Sequence, residues 1–106
     1  MITVTTNEIP GHRVVKALGL VRGVTVRSRS VVGNIGGAVQ SLFGGKITAY
    51  AELAEQSRVE AHDLMVAHAE GMGANAVVGM RYDANDIMDG ITEVLAYGTA
   101  VVVERA

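Results

Sequence analysis

Residues 48–83 read TAYAELAEQSRVEAHDLMVAHAEGMGANAVVGMRYD, and this stretch constrains the fold more than any other. Tyr50, Leu53, Ala54, Ser57, Ala61, Leu64, Met65, His68 and Met72 recur at three- and four-residue steps. At about 100° per residue they fill a stripe roughly 120° wide, so the spacing predicts one long amphipathic helix with a single committed face. Glu52, Glu55, Glu60, Asp63 and Glu70 fall outside that stripe, toward water. Thr48 is the expected N-cap, and Gly71 and Gly73 are the expected stop, because glycine accepts the positive φ that ends a helix. Val59 and Val66, a heptad apart on the otherwise polar side, point to a second contact surface.

The flanking segments are strands. Residues 13–27, RVVKALGLVRGVTVR, are too rich in valine and glycine for a helix. Simple alternation puts Val14, Leu18, Leu20, Val24 and Val26 on one face, and Val15, Ala17, Gly19, Val21 and Gly23 on the other. Gly19 and Gly23 mark bulges or close approach by another backbone. Residues 77–83 form a second strand, followed by a polar loop over 83–91 with turn chemistry at Asp89 and Gly90. Residues 92–105 form a third strand, apolar on both faces and therefore central, with Val94, Ala96, Ala100 and Val102 opposing Leu95, Tyr97, Val101 and Val103. Residues 2–6 alternate briefly enough for a short edge strand, and the spacing over 31–45 predicts a short helix. The expected fold is α+β: a two-layer β-α-α-β-β subunit, with a three-stranded antiparallel sheet in the order one, three, two packed on one long helix. All 106 residues make a single domain.

That architecture leaves a face uncovered, since one helix shelters one side of the sheet. Large contiguous apolar patches rarely stay exposed on soluble monomers. Leaving about 500 Å² open forgoes on the order of 12 kcal/mol before association entropy is subtracted. The short segment over 31–45 is expected to cover part of that face and copies of the same chain the rest, so a homo-oligomer is predicted.

Composition narrows the function classes. There is no cysteine, which removes disulfides and thiolate chemistry. No apolar run reaches the roughly 18 residues of a membrane span, and no secretory leader pattern opens the chain, so a cytoplasmic location is expected. Residues 1–51 hold six Lys or Arg and one acid, whereas residues 52–106 hold ten acids and three Arg. With an isoelectric point of 5.8 this split reads as basic and acidic neighbours, not as a nucleic-acid surface.

The candidate sites are sparse. His62 and His68 are six residues apart, about 120° around a helix, so they do not converge on one ion, and the i, i+4 spacing of helical zinc sites is absent. Met65, His68 and Met72 share a face whose thioethers and imidazole suit a soft ion such as Cu(I), but methionine at helical spacing ordinarily fills a core. His12 reads as a surface residue of an early turn. Asp83, Asn85, Asp86 and Asp89 resemble a calcium loop but fail its spacing at Ile87. Residues 33–46 lack the phosphate-loop pattern, with Gln40 where its first glycine belongs. No nucleophile elbow surrounds Ser28, Ser30, Ser41 or Ser57. The residues assign no catalytic group, no metal ligand set and no cofactor.

The segments GHRVVKALGLVRG, NIGGAVQSLFGGK, AYAELAEQSRVEA, GANAVVGMRYD and AYGTAVVV, in this order and spacing, resemble the YbjQ-like family, and the resemblance covers nearly the whole chain. Members of that family carry a heavy-metal-binding label without an established function. The resemblance implies a dodecin-like subunit and a ring-shaped homo-oligomer, with five copies. The expected role is a ring-forming binding or scaffold module with an unidentified ligand. Its alternatives are a soft-metal or small-ligand site at the subunit interface, or an active site shared between chains.

Overall fold

The computed structural model describes residues 1–28 and 46–106. In chain order the elements are β1 (Ile2–Thr3), β2 (His12–Ser28), α1 (Lys46–Gly71), β3 (Ala76–Met88) and β4 (Ile91–Arg105). They build one sheet in the order β1-β3-β4-β2. The three long strands thus take the expected order with β4 central. The expected three-stranded antiparallel sheet is in fact a four-stranded mixed one, because β1 pairs parallel with β3 through Ile2 with Ala76 and Thr3 with Val77. The short helix expected over 31–45 lies outside the described residues.

The helix starts at Lys46, so Thr48 lies inside it and is not its cap. Its end follows the glycine signal. Gly73 takes φ +88°, its amide donates to the Glu70 carbonyl, and the Ala74 amide donates to the Ala69 carbonyl, both at 3.0 Å. These two bonds form a Schellman motif, which satisfies carbonyls that the last turn leaves open. Asn75 then locks the strand that follows. Its side chain donates to the Val103 carbonyl and accepts from the Val103 amide, each at 2.8 Å.

The helix covers one face of the sheet. Its buried line is Ser57, Ala61, Met65 and Ala69, packed on Val21, Val77, Met80, Ala96 and Ala100. The observed stripe is therefore rotated from the expected one: Leu64 and His68 lie exposed, while Ala69 and Val66 turn inward. Val66 joins this core and so does not serve a second contact surface with Val59. The cause is the close seating of α1 on β2. A methyl group at Gly23 would overlap the Ala61 carbonyl oxygen and stand 2.5 Å from the Met65 amide and 2.7 Å from Leu64 Cβ.

Two bulges in β2, between Val14 and Lys16 and between Ala17 and Gly19, correct the simple alternation. Each inserts a residue and flips the parity behind it. Leu18 consequently packs toward the helix, and Ala17, opposite Val101, belongs to the other face. On that far face Ala76, Val78, Val101 and Val103 form a second, smaller core, covered by Val4 and Ile9 of the N-terminal segment. This segment is tied down by Gly79 and Met80 amides donating to the carbonyls of Thr6 and Val4, at 2.8 and 3.0 Å.

The polar loop expected over 83–91 is mostly strand. β3 runs on to Met88, with Asp83 opposite Leu95 and Asp86 opposite Thr92, and only Asp89 and Gly90 turn. Asp and Asn are poor strand formers, but the ladder offered by β4 across a two-residue turn overrides that preference. No helix among the described residues is long and apolar enough to cross a membrane.

Substituting Gly23→Ala should cost about 3 kcal/mol or more, because backbone must move to admit the methyl. Gly71→Ala, where the added carbon meets open space, should cost far less. Urea unfolding of the two variants compares them directly.

Candidate functional site

Among the described residues a concavity lies where the first half of α1 overhangs the far half of the sheet. Tyr50, Leu53, Ala54, Ser57 and Arg58 descend from the helix, Arg27 and Ser28 close the end of β2, and Ala84, Thr92 and Val94 form the floor. The cavity measures about 230 Å³. Its shape follows from residue size: the floor carries Ala84 and Val94, and the helix contributes Ala54 opposite them, so the two layers do not meet. The apolar floor with two guanidinium groups at its border is suited to binding. Arg27 is ion-paired with Glu60 across the strand–helix gap, one of the basic–acidic contacts that the charge split foreshadows. A second pair joins Arg13 to Glu104 across β2 and β4.

The hydroxyl groups here mainly hold structure. Ser57 Oγ donates to the Leu53 carbonyl at 2.9 Å, and buried Thr25 donates to the Ser57 carbonyl at 3.2 Å. Ser30 and Ser41, like the glycine-rich residues 33–45, lie outside the described residues. Tyr82, on β3 beside the helix, has its pKa raised, first by partial burial and then by the negative charges of Glu55 and Asp63, with Arg58 opposing them.

The expected metal candidates do not come together. His62 Nε2 lies 3.0 Å from Thr3 Oγ1 on β1. His68 Nδ1 accepts the Arg22 amide of β2 at 3.3 Å. Since β1 and β2 are opposite edges of the sheet, the two imidazoles point apart. Met65 is fully buried in the helix-side core, and Met72 reaches toward Gly19. The oxygens of Asp83, Asn85, Asp86 and Asp89 are dispersed along a ladder, with Asp86 Oδ1 accepting from Thr92 Oγ1 at 2.9 Å. His12 sits in a wider concavity of about 920 Å³ beneath residues 6–13, its Nδ1 donating to the Pro10 carbonyl.

A family model described as "Putative heavy-metal-binding" matches residues 1–104. The chain belongs to the YbjQ-like family. A UPF0145 protein of Chromobacterium violaceum is 59% identical over 98% of this chain and 88% of its own length. One from Solibacter usitatus is 54% identical over 96% and 91%, respectively. A crystal structure of a DUF74-family protein of unknown function from Pediococcus pentosaceus matches with a TM-score of 0.65 over 98% of both chains; at 17% identity this likeness shows the fold alone. The YbjQ-like description names a metal, and the described residues do not fit one: no three His, Cys, Asp or Glu side chains gather among them.

Sequence reasoning placed Tyr50, Leu53, Ala54 and Ser57 on the committed face of the helix but did not foresee a cleft beneath them. Arg27, Ala84, Thr92 and Val94 carry no shared motif and meet only through strand register.

The Tyr82 shift has a defined sign. Folding holds its proton more firmly than the unfolded chain, whose tyrosine titrates near about 10, so stability is intact below that pH and declines as pH rises through and past it. In thermal melts from pH 8 to 11, Tyr82→Phe should flatten the alkaline decline; identical slopes would refute the assignment.

Proposed function

We propose that this chain is a subunit of a homo-oligomeric binding or scaffold module in the cytoplasm. The supporting observation is the far half of the sheet face turned away from the helix. Val21, Gly23 and Thr25 face α1, so by alternation Leu20, Val24 and Val26 face outward. They are 62%, 42% and 50% exposed. Leu95 and Tyr97 stand opposite Val24 and Arg22 on the same side. Val4 and Ile9 seal only the other end of this face. Among the described residues nothing packs over Leu20, Val24 and Val26.

The proportions of the subunit agree with this reading. β2 alone, at about 3.3 Å per residue, spans roughly 55 Å. The radius of gyration is 17.1 Å, against about 13 Å for a compact chain of about 100 residues. A subunit this drawn out carries more surface than its own core can shelter, and assembly recovers the burial. The family resemblance favours a closed ring of five copies. The cleft beneath Tyr50 and Leu53 supports the binding half of the reading, for a small, largely apolar ligand.

Native mass spectrometry and light scattering should find one discrete homo-oligomer. The pair Leu20→Glu and Val24→Glu should shift it to smaller species while leaving far-ultraviolet circular dichroism unchanged. A monomeric wild-type protein at micromolar concentration would overturn the proposal.

A further inference from the structure

We infer that His62 and His68 are clamps that hold the helix to the two edges of the sheet, and that this chain supplies no heavy-metal site. The inference departs from the family description and concerns sites that one chain could build by itself.

The soft and borderline donors of the chain are few. There is no cysteine, and the histidines are His12, His62 and His68. The methionines are Met1, Met65, Met72, Met80 and Met88, and residues 29–45 contain no His, Cys, Met, Asp or Glu. Met65 and Met80 are packed in the helix-side core. Met72 lies near Gly19, Met88 at the turn of the β3–β4 hairpin, and Met1 at the chain start. These exposed thioethers sit on separate elements, and one thioether does not hold an ion.

His68 is disfavoured as a ligand by its tautomer. Nδ1 accepts the Arg22 amide, so the ring proton resides on Nε2. A metal on Nε2 requires the proton to move to Nδ1. That would set an imidazole N–H against the Arg22 N–H and break the bond. The amide matters because β2 is an edge strand, and α1 runs along it. His68 thus satisfies an edge donor that β4 does not reach.

His62 does the corresponding task at the other edge. Its Nε2 meets Thr3 Oγ1 at 3.0 Å, and its Nδ1 stands 3.6 Å from the exposed carboxylate of Asp63. β1 is only two residues long, so this contact adds appreciably to its attachment. An ion on Nε2 would displace Thr3 and find no second imidazole or thiolate beside it.

The test uses the purified full-length chain. It is loaded separately with Cu(I) under reducing conditions, Zn²⁺ and Cd²⁺, desalted against a weak chelator, and counted by plasma mass spectrometry. The expected retention is far below one ion per chain for each metal. Retention of one ion per chain overturns the inference, whichever residue holds it. In parallel, His68→Ala and His62→Ala should each lower the thermal midpoint by about 4–8 °C, the equivalent of one lost hydrogen bond. His68→Asn, whose side-chain oxygen lies near the Nδ1 position, and His62→Gln, whose amide lies near Nε2, should recover most of that loss. Alanine variants as stable as the wild type, or amide variants no better than alanine, would refute the clamp.

Discussion

The absence of a side chain at Gly23 is the constraint on which this architecture rests. It lets the backbone of α1, at Ala61 and Met65, lie directly on β2. Every other helix–sheet contact is scaled to that approach. The facing residues are small, with Ala61, Ala69, Ala96 and Ala100 fully buried, so the layer is thin and depends on fit more than on bulk. At such a distance Thr25 reaches the Ser57 carbonyl, and His68 reaches the Arg22 amide. Farther along, beneath the first half of the helix, the layers part and leave the cleft beside Leu53.

The same seating leaves the sheet unequally covered. Above it the helix lies close; below it, among the described residues, the N-terminal segment returns, pinned by Gly79 and Met80 to one end. β3 adapts at that point by a bulge at Gly79, where φ is +62°, and Gly98 on β4 makes room for Val77 and Val78. A side chain at Gly79 would crowd Asn7 of the segment that closes the second core, and one at Gly98 would collide with Val77 on β3. The remainder of that face, around Leu20, Val24 and Val26, stays exposed among the described residues.

Much of the fold was legible in the residues. The glycine stop after the helix, the central place of β4 and its two apolar sets all follow from spacing and residue type, and so does the close approach at Gly23. The site was less legible. His62 and His68 were correctly separated by helical angle, but their partners, Thr3 and Arg22, lie 59 and 46 residues away and carry no local signal. The stripe was misjudged because Leu64 and His68 look like core by period alone, whereas a glycine-floored contact brings Ala69 and Val66 inward instead.

What the sequence determined by itself is therefore the set of elements and their two-sided hydrophobicity, since helical and strand periods are local properties of the chain. Only the tertiary structure decided which strand face the helix would occupy, how far the hairpin would extend past Asp83, and which edges the histidines would hold. Those outcomes depend on register and on bulges, and one inserted residue in β2 reverses every face behind it. Long-range pairing sets that register, and no short window of residues contains it.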